Sequence, residues 1–237
     1  RVKSGRYAVK HFGCDTLILD DGFQYQKLRH RLEIVLVDKT NPFGNTHMLP
    51  RGVLREPIRN LKRADFIFIT KSDGNSEALR QQIRELNDHA EIIECCHQPR
   101  YLQNVYTAER VPLDWLKGRT VTSLSGIAVP QSFENSLRLM GARVIHCERY
   151  ADHHRYHAQE IIDAVNRAAD LHADALMTTE KDAVRFPRLE TTPVPVFYVR
   201  VEIKLLDGAE NFHDAVEHIC FRKGGAKRAA SAEEERP

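Results

Sequence analysis

Long apolar runs are missing from this sequence. None approaches the ~18–20 residues that a membrane-spanning helix needs, and the first residues do not read as a secretory leader, so no spanning segment is expected. Paired cysteines are missing too. Cys14, Cys95, Cys96, Cys147 and Cys220 form no C-x-x-C spacing, and the adjacent Cys95 and Cys96 cannot easily bridge each other. That favours buried free thiols in a reducing compartment over a disulfide framework or a zinc site. A charge excess is absent as well. Thirty-five Lys and Arg against 33 Asp and Glu give a net +2, too little for general affinity to nucleic acid. No G-x-x-x-x-G-K-[ST] phosphate loop and no internal repeat occurs. What remains is ordinary globular composition, 42% hydrophobic and 29% charged, over 237 residues, enough for one large or two small domains.

Strand and helix signals alternate, which predicts α/β layers on a mostly parallel sheet. Strands are expected at Thr16–Asp20, Glu33–Val37, Asp65–Thr70 and Glu91–Cys95. Between the last two, Leu79, Ile83 and Leu86 recur at helical spacing, behind an Asp73-Gly74-Asn75 turn. The stretch 98–117 has two prolines, scattered aromatics and no period, and reads as a connector or short ribbon. A second α/β set follows. Its strands are expected at Thr120–Leu124, Arg143–Cys147, Ala175–Thr178 and Val196–Leu206, with helices at Gln131–Met140 and His157–Leu171. The tail from Lys223 carries no apolar period and is expected to be disordered. The division predicted is a first domain at 1–97, a connector at 98–117, a second domain at 118–222 and a tail.

The chemistry-bearing residues fall in blocks. Asp20-Asp21-Gly22-Phe23-Gln24 stands directly behind Leu17-Ile18-Leu19. A strand that ends in two carboxylates and a glycine fixes hard oxygen ligands and then turns sharply, as Mg²⁺ beside a nucleotide requires. A solvated turn uses the same residues. On the metal reading Asp20, at the strand end, takes the ion, and Asp21 holds its water shell or a phosphate-loop hydroxyl. Gln24 either hydrogen-bonds substrate or caps the turn. Arg55 and Glu56 are restrained between Leu54 and Pro57. The Arg55 guanidinium suits a phosphate, and the pair is equally readable as a surface ion pair. Asp152-His153-His154 lies between a strand and a helix. Imidazole there suits proton transfer near neutrality, while Asp152 could instead cap the helix with both histidines solvated. Lys181 in Thr179-Glu180-Lys181-Asp182 is either a phosphate contact or part of an N-capped turn. Gly126 to Pro130 is a loop against the nucleotide or against the other domain, or equally plain strand-to-helix turn chemistry.

Two of these blocks are specific in combination. The DDGFQ segment, followed by Pro42-Phe43-Gly44-Asn45 and then Leu49-Pro50-Arg51-Gly52-Val53-Leu54-Arg55-Glu56-Pro57, resembles the tetraacyldisaccharide 4'-kinase family of lipid A biosynthesis. The Gly126, Asp152 and Thr179 blocks add further matches, so the resemblance runs from Arg1 to about Leu206. It implies an α/β protein whose first part is a three-layer, mostly parallel sheet of the P-loop NTPase type, incomplete here, followed by a second, smaller α/β domain. It also implies ATP and Mg²⁺ as cofactors and an acylated glucosamine disaccharide 1-phosphate as acceptor. The location implied is peripheral, on the cytoplasmic side of a Gram-negative inner membrane, without nucleic acid. By the same resemblance His153 is the base, coupled to an aspartate from a part ahead of the DDGFQ block. Arg55 is an active-site residue oriented by Glu56, Glu56 and Lys181 face the nucleotide, and Arg51 is a basic contact for the substrate's phosphate. The family's phosphate loop also lies in that earlier part. The chain thus reads as a fragment, expected not to transfer phosphate alone.

Other readings follow from single motifs. Thr70-Lys71-Ser72-Asp73 resembles the guanine-reading [NT]-K-x-D motif, which makes a GTP-binding module the natural rival. A non-catalytic scaffold homologue is another. Asp152-His153-His154 echoes the DHH phosphoesterases, but the glycine-rich histidine motif those proteins need has no counterpart beyond Gly224-Gly225.

Overall fold

A computed structural model describes residues 1–28 and 30–220. They fall into two compact units, one made of residues 1–96 with the segment from Ile203, the other of residues 97–202. The α/β class with mostly parallel strands is as expected.

In the first unit, helix α1 (Val2–Phe12) precedes three parallel strands, β1 (Ile34–Asp38), β2 (Phe66–Thr70) and the start of β3 (Glu91–Asn104). A five-residue apolar run such as Phe-Ile-Phe-Ile-Thr forms β2 because a parallel strand is covered on both faces. Its residues alternate accordingly. Ile67 and Ile69 join Val37, Leu79 and Ile83 under helix α2 (Glu77–Leu86). Phe66 and Phe68 face the other way, with their rings edge-on to Phe212 at 5.3 and 5.0 Å. Phe212 belongs to helix α6 (Ala209–Cys220), which lies inside the segment assigned above to the second domain. Asn87 ends α2 fully satisfied: its amide donates to Leu61 and Ala64 carbonyls at 2.9 Å each and accepts from His89 and Ala90 N–H.

One polar cluster is buried in this unit. Glu94, 5% exposed, accepts from Ser72, from Ser76 at 2.8 Å and from Arg80 Nε at 2.8 Å, and Arg80 also binds Asp207. Asp207 in turn accepts from the Glu94 N–H at 2.6 Å, which fastens the returning segment to β3. Burial alone would raise the Glu94 carboxyl, but the bonds from Ser72, Arg80 and Ser76 outweigh it and hold the pKa below the ordinary 4.5. A depressed folded-state pKa adds stability above the unfolded value, and that stability is lost as pH falls through the folded value. Glu94→Gln should therefore lose less stability than the parent between about pH 5 and pH 3 in urea titrations. Equal losses would remove Glu94 from the acid response.

The second unit has four parallel strands in the order β6 (Arg143–Arg149), β5 (Thr120–Ser125), β7 (Ala175–Thr179) and β8 (Val196–Leu205). Helix α3 (Pro130–Leu139) connects β5 to β6, and α4 (Ala158–Asp170) connects β6 to β7. Each helix covers one face, as period-two strands require: Leu137 packs with Val121 and Met177, while Ile161 and Val165 pack with Leu124 and Leu176. A short helix α5 (Glu180–Ala183) follows β7.

Several expectations are corrected. Thr16–Asp20 is not a strand in this structure: among the described residues no ladder partner binds it, and Ile18 is 94% exposed. Of the two readings of residues 98–117, the ribbon is the one present. These residues hold the later half of β3, its antiparallel partner β4 (Arg110–Val111) and a 3₁₀ turn at Leu113–Leu116, with Leu102 and Leu116 fully buried. All five thiols are free; Cys95 is buried and the other four are partly exposed. The expected disorder after Lys223 lies outside the described residues.

Candidate active site

Five of the site residues named from the sequence come together in the first unit. Asp20, Asp21, Gln24, Arg55 and Glu56 line one cavity of about 1080 Å³, whose remaining wall is largely apolar, from Leu17, Ile34, Leu36, Phe43 and Phe212 among others. The DDG segment turns sharply after Leu19, and a side chain at Gly22 would stand 2.6 Å from Leu19 Cβ, so the turn needs glycine. Asp21 is held at φ 49°, in the left-handed region that a residue with a side chain rarely adopts. Its Oδ2 accepts from Arg55 Nη1 at 3.0 Å, and its carbonyl accepts from Arg1 at 2.7 Å. Asp20, exposed in the same turn, has no hydrogen-bonding side-chain partner among the described residues. Of the two carboxylates, Asp20 is the one left open.

Glu56 does not orient Arg55. Its carboxylate accepts from Arg63 Nη2 and Asn60 Nδ2, both at 2.9 Å, and from Gln26 at 3.4 Å. The same Arg63 nitrogen donates to the Phe23 carbonyl at 2.7 Å, and its guanidinium stacks on the Phe23 ring 4.2 Å from the centroid. The Leu-Arg-Glu-Pro and Asp-Asp-Gly-Phe-Gln blocks are thus tied twice, by Arg55 to Asp21 and by Glu56 through Arg63 to Phe23. Arg63 carries no motif signal in the sequence and was not among the candidates. Arg63→Lys loses the fork and the stacking together, so amide exchange across 20–24 should rise about tenfold, read by mass spectrometry. Unchanged exchange would mean that Arg63 does not hold this turn.

Arg51 stands apart from this cavity lining. Asn45 closes its loop, donating to the Arg51 carbonyl at 3.0 Å and accepting from the His47 N–H at 3.3 Å, and leaves the Arg51 side chain exposed. The guanine-reading look-alike is occupied by its own protein. Lys39 binds Asp73 and the Asn75 carbonyl, and Lys71 binds Asp38 at 2.5 Å. The Lys39 bond is the main reason the Asp73 carboxyl sits below its ordinary pKa.

His153 and Lys181 belong to the second unit. His153 has φ 61° and a side chain 83% exposed, with Asp152 Oδ2 3.8 Å from its Nε2. His154, next to it, is spent on packing: it stacks on Tyr150 at 4.6 Å and meets Glu160 at 3.0 Å. Asp152 caps no helix; α4 is entered through His157, whose N–H donates to Glu160 at 2.8 Å. Thr179 does cap α5, accepting from the Asp182 N–H at 3.2 Å, and Lys181 projects from that helix into solvent. Asp182 itself, fully buried, accepts from four donors; it stands in the Thr179 block, where sequence reasoning assigned it no role.

No group of three or more metal-binding side chains forms among the described residues. That does not conflict with Mg²⁺ beside a nucleotide, where one or two carboxylates serve and phosphates and waters complete the shell. Asp20 fits that requirement. No helix among the described residues is long and apolar enough to cross a membrane.

The family model for tetraacyldisaccharide-1-P 4'-kinase matches residues 1–220. A tetraacyldisaccharide 4'-kinase of Anaeromyxobacter dehalogenans is 39% identical over 216 residues, covering 89% of this chain and 57% of that protein. One from Halothermothrix orenii is 37% identical over 201 residues, covering 79% and 52%. The chain therefore spans little more than half the length of these relatives. The crystal structure of the apo form of LpxK from Aquifex aeolicus in complex with ATP superposes with a TM-score of 0.66 at 26% identity, over 93% of this chain and 62% of that one. Since the family model covers nearly all of it, the chain belongs to the tetraacyldisaccharide-1-P 4'-kinase family.

Proposed function

We propose that this protein takes part in ATP-dependent phosphorylation of the 4'-hydroxyl of a tetraacylated glucosamine disaccharide 1-phosphate, the lipid A step that its relatives are named for. The observation that carries the reading is the convergence of the two motif blocks on one cavity, with Asp20 open and Asp21 paired to Arg55. The first unit is then the nucleotide-side domain and the second supplies the proton acceptor.

The cavity geometry and the family resemblance support the following roles. Asp20 would hold Mg²⁺, whose chemistry is to neutralise charge on the β- and γ-phosphate oxygens. Asp21 fixes Arg55 at the cavity wall, where the guanidinium fork can meet a phosphate. Gln24 lines the same wall and can donate to substrate. Glu56 serves the nucleotide side indirectly, by holding Arg63 and through it the DDG turn. Lys181 and Arg51, both exposed, offer cations to phosphate groups of the nucleotide and the lipid. His153, exposed on its left-handed turn, takes the proton of the attacking hydroxyl. The acceptor being a lipid, the site of action is the cytoplasmic face of the inner membrane, reached by peripheral contact.

The test is direct. The protein expressed from its complete reading frame is incubated with Mg·ATP and the disaccharide 1-phosphate in detergent, and the bis-phosphorylated lipid is followed by mass spectrometry. Formation of the 4'-phosphate with ATP supports the reading. Turnover with GTP alone, or none with either nucleotide, would sink it.

A further inference from the structure

The carboxyl ends of three neighbouring strands in the second unit are tied to one buried carboxylate. Asp182 is fully buried just after β7. Its Oδ2 accepts from the Gly126 N–H after β5 at 3.1 Å and from Thr179 Oγ1 at 2.6 Å. Its Oδ1 accepts from Tyr156 Oη, beyond β6, at 2.9 Å and from Arg185 Nη2 at 2.6 Å. Four donors, one of them charged, saturate the carboxylate and leave it little freedom to move.

What these partners do next concerns His153. The Gly126 carbonyl accepts the His153 N–H at 3.2 Å, and Arg185 Nη1 donates to the His154 carbonyl at 2.9 Å. The turn that forces His153 to φ 61° is therefore held on both sides by groups that Asp182 fixes. The fit is close. A side chain at Gly126 would stand 2.7 Å from Tyr156 Oη and 3.1 Å from the Ala151 carbonyl, so the two loops meet only because residue 126 has none. A left-handed histidine is costly in isolation and persists where its surroundings over-determine it.

We propose that Asp182 is a positioning residue for His153: through Gly126, Tyr156 and Arg185 it fixes the backbone turn that presents the imidazole to the substrate hydroxyl. The proposal rests on the reading of His153 as the proton acceptor. It gives a common purpose to the Gly126, Asp152 and Thr179 blocks, which are far apart in sequence and individually ordinary.

Two readouts on the protein from its complete reading frame test it, and they fail separately. The first is amide hydrogen exchange by NMR. In Asp182→Asn the His153 and Gly126 amides should exchange about tenfold faster, while Leu176 and Met177 within β7 stay as protected as in the parent. An unchanged His153 amide beside a faster Gly126 amide would overturn the proposal. The second is kinetic. Asp182→Asn should lower kcat about tenfold or more with the KM for ATP within about twofold, and should add no further loss on a His153→Ala background. A full second loss on that background would show Asp182 acting by another route and would equally overturn it. Should Asp182→Asn not fold, Tyr156→Phe removes one donor and must show the same pattern at smaller amplitude, about threefold in each readout; none in either would count against the proposal. If the parent protein transfers no phosphate, the proposed function falls, while the exchange experiment still decides whether Asp182 holds the turn.

Discussion

His153→Ala should cut turnover by about 10²–10⁴-fold, the range a positioned general base contributes, with ATP binding unchanged. The expectation comes from placement. The ring is almost wholly in solvent on a strained turn, where packing gives it no reason to be. His154→Ala is the matched control. His154 is stacked on Tyr150 and bonded to Glu160, so its loss should appear as about 1 kcal/mol of stability with little change in turnover. Steady-state kinetics with both variants separate the two histidines. Turnover within threefold of the parent in His153→Ala would return that residue to a solvated loop.

Arg80→Ala should destabilise the first unit by about 3 kcal/mol or more, because it strips the counter-charge from a buried carboxylate. Glu94 would keep Ser72 and Ser76 but lose its cation, and Asp207 would keep the Glu94 N–H on β3 but lose its ion pair to Arg80. The readout should be local. Trp115, the only tryptophan, lies in the second unit and reports that unit. Amide exchange across Phe66–Thr70 should rise about a hundredfold, while Trp115 fluorescence against urea stays near the parent's. The pair Arg80→Met with Glu94→Leu should recover part of the loss, since apolar replacement of both partners leaves no buried charge unpaired. A loss under 1 kcal/mol in Arg80→Ala would reduce the cluster to surface electrostatics.

The elements legible in the sequence are those with a strong period and chemical stops. α3 and α4 show this, with Pro130 opening the first and a face expected from Ile161, Ile162, Val165 and Ala169 in the second, which buries Ile161, Ala164, Val165 and Ala168 instead. β2 shows it by five residues without a charge. Thr16–Asp20 had the composition of a strand and is none in this structure, because composition cannot supply the neighbour a strand must bond. α6 is the converse. Phe212, Val216 and Ile219 recur at helical spacing, yet no proline or hydroxyl-rich cap announces the start. At the site, the motif residues Asp20, Asp21 and Arg55 were readable because carboxylate and guanidinium chemistry is local to the side chain. Arg63 and Asp182 were not. Each works through partners distant in sequence, Phe23 in one case and Gly126 and Tyr156 in the other, and no spacing along the chain records such a meeting. Glu56 was misread for the same reason: adjacency to Arg55 suggested a pair, but Arg63 and Asn60 supply its donors.

The first unit is discontinuous along the chain, and this bears on how the protein is made. Phe66 and Phe68 leave the ribosome long before Phe212, which covers them. The second unit, residues 97–202, is synthesised in between. At ordinary elongation rates the delay is on the order of ten seconds, during which a nascent sheet shows its aromatic face to the cytosol. A stalled or truncated message ending within the second unit would yield a chain with one finished half and one adhesive half. Such a product is a natural client for holding chaperones, and its solubility should recover when a peptide spanning 203–220 is supplied in trans.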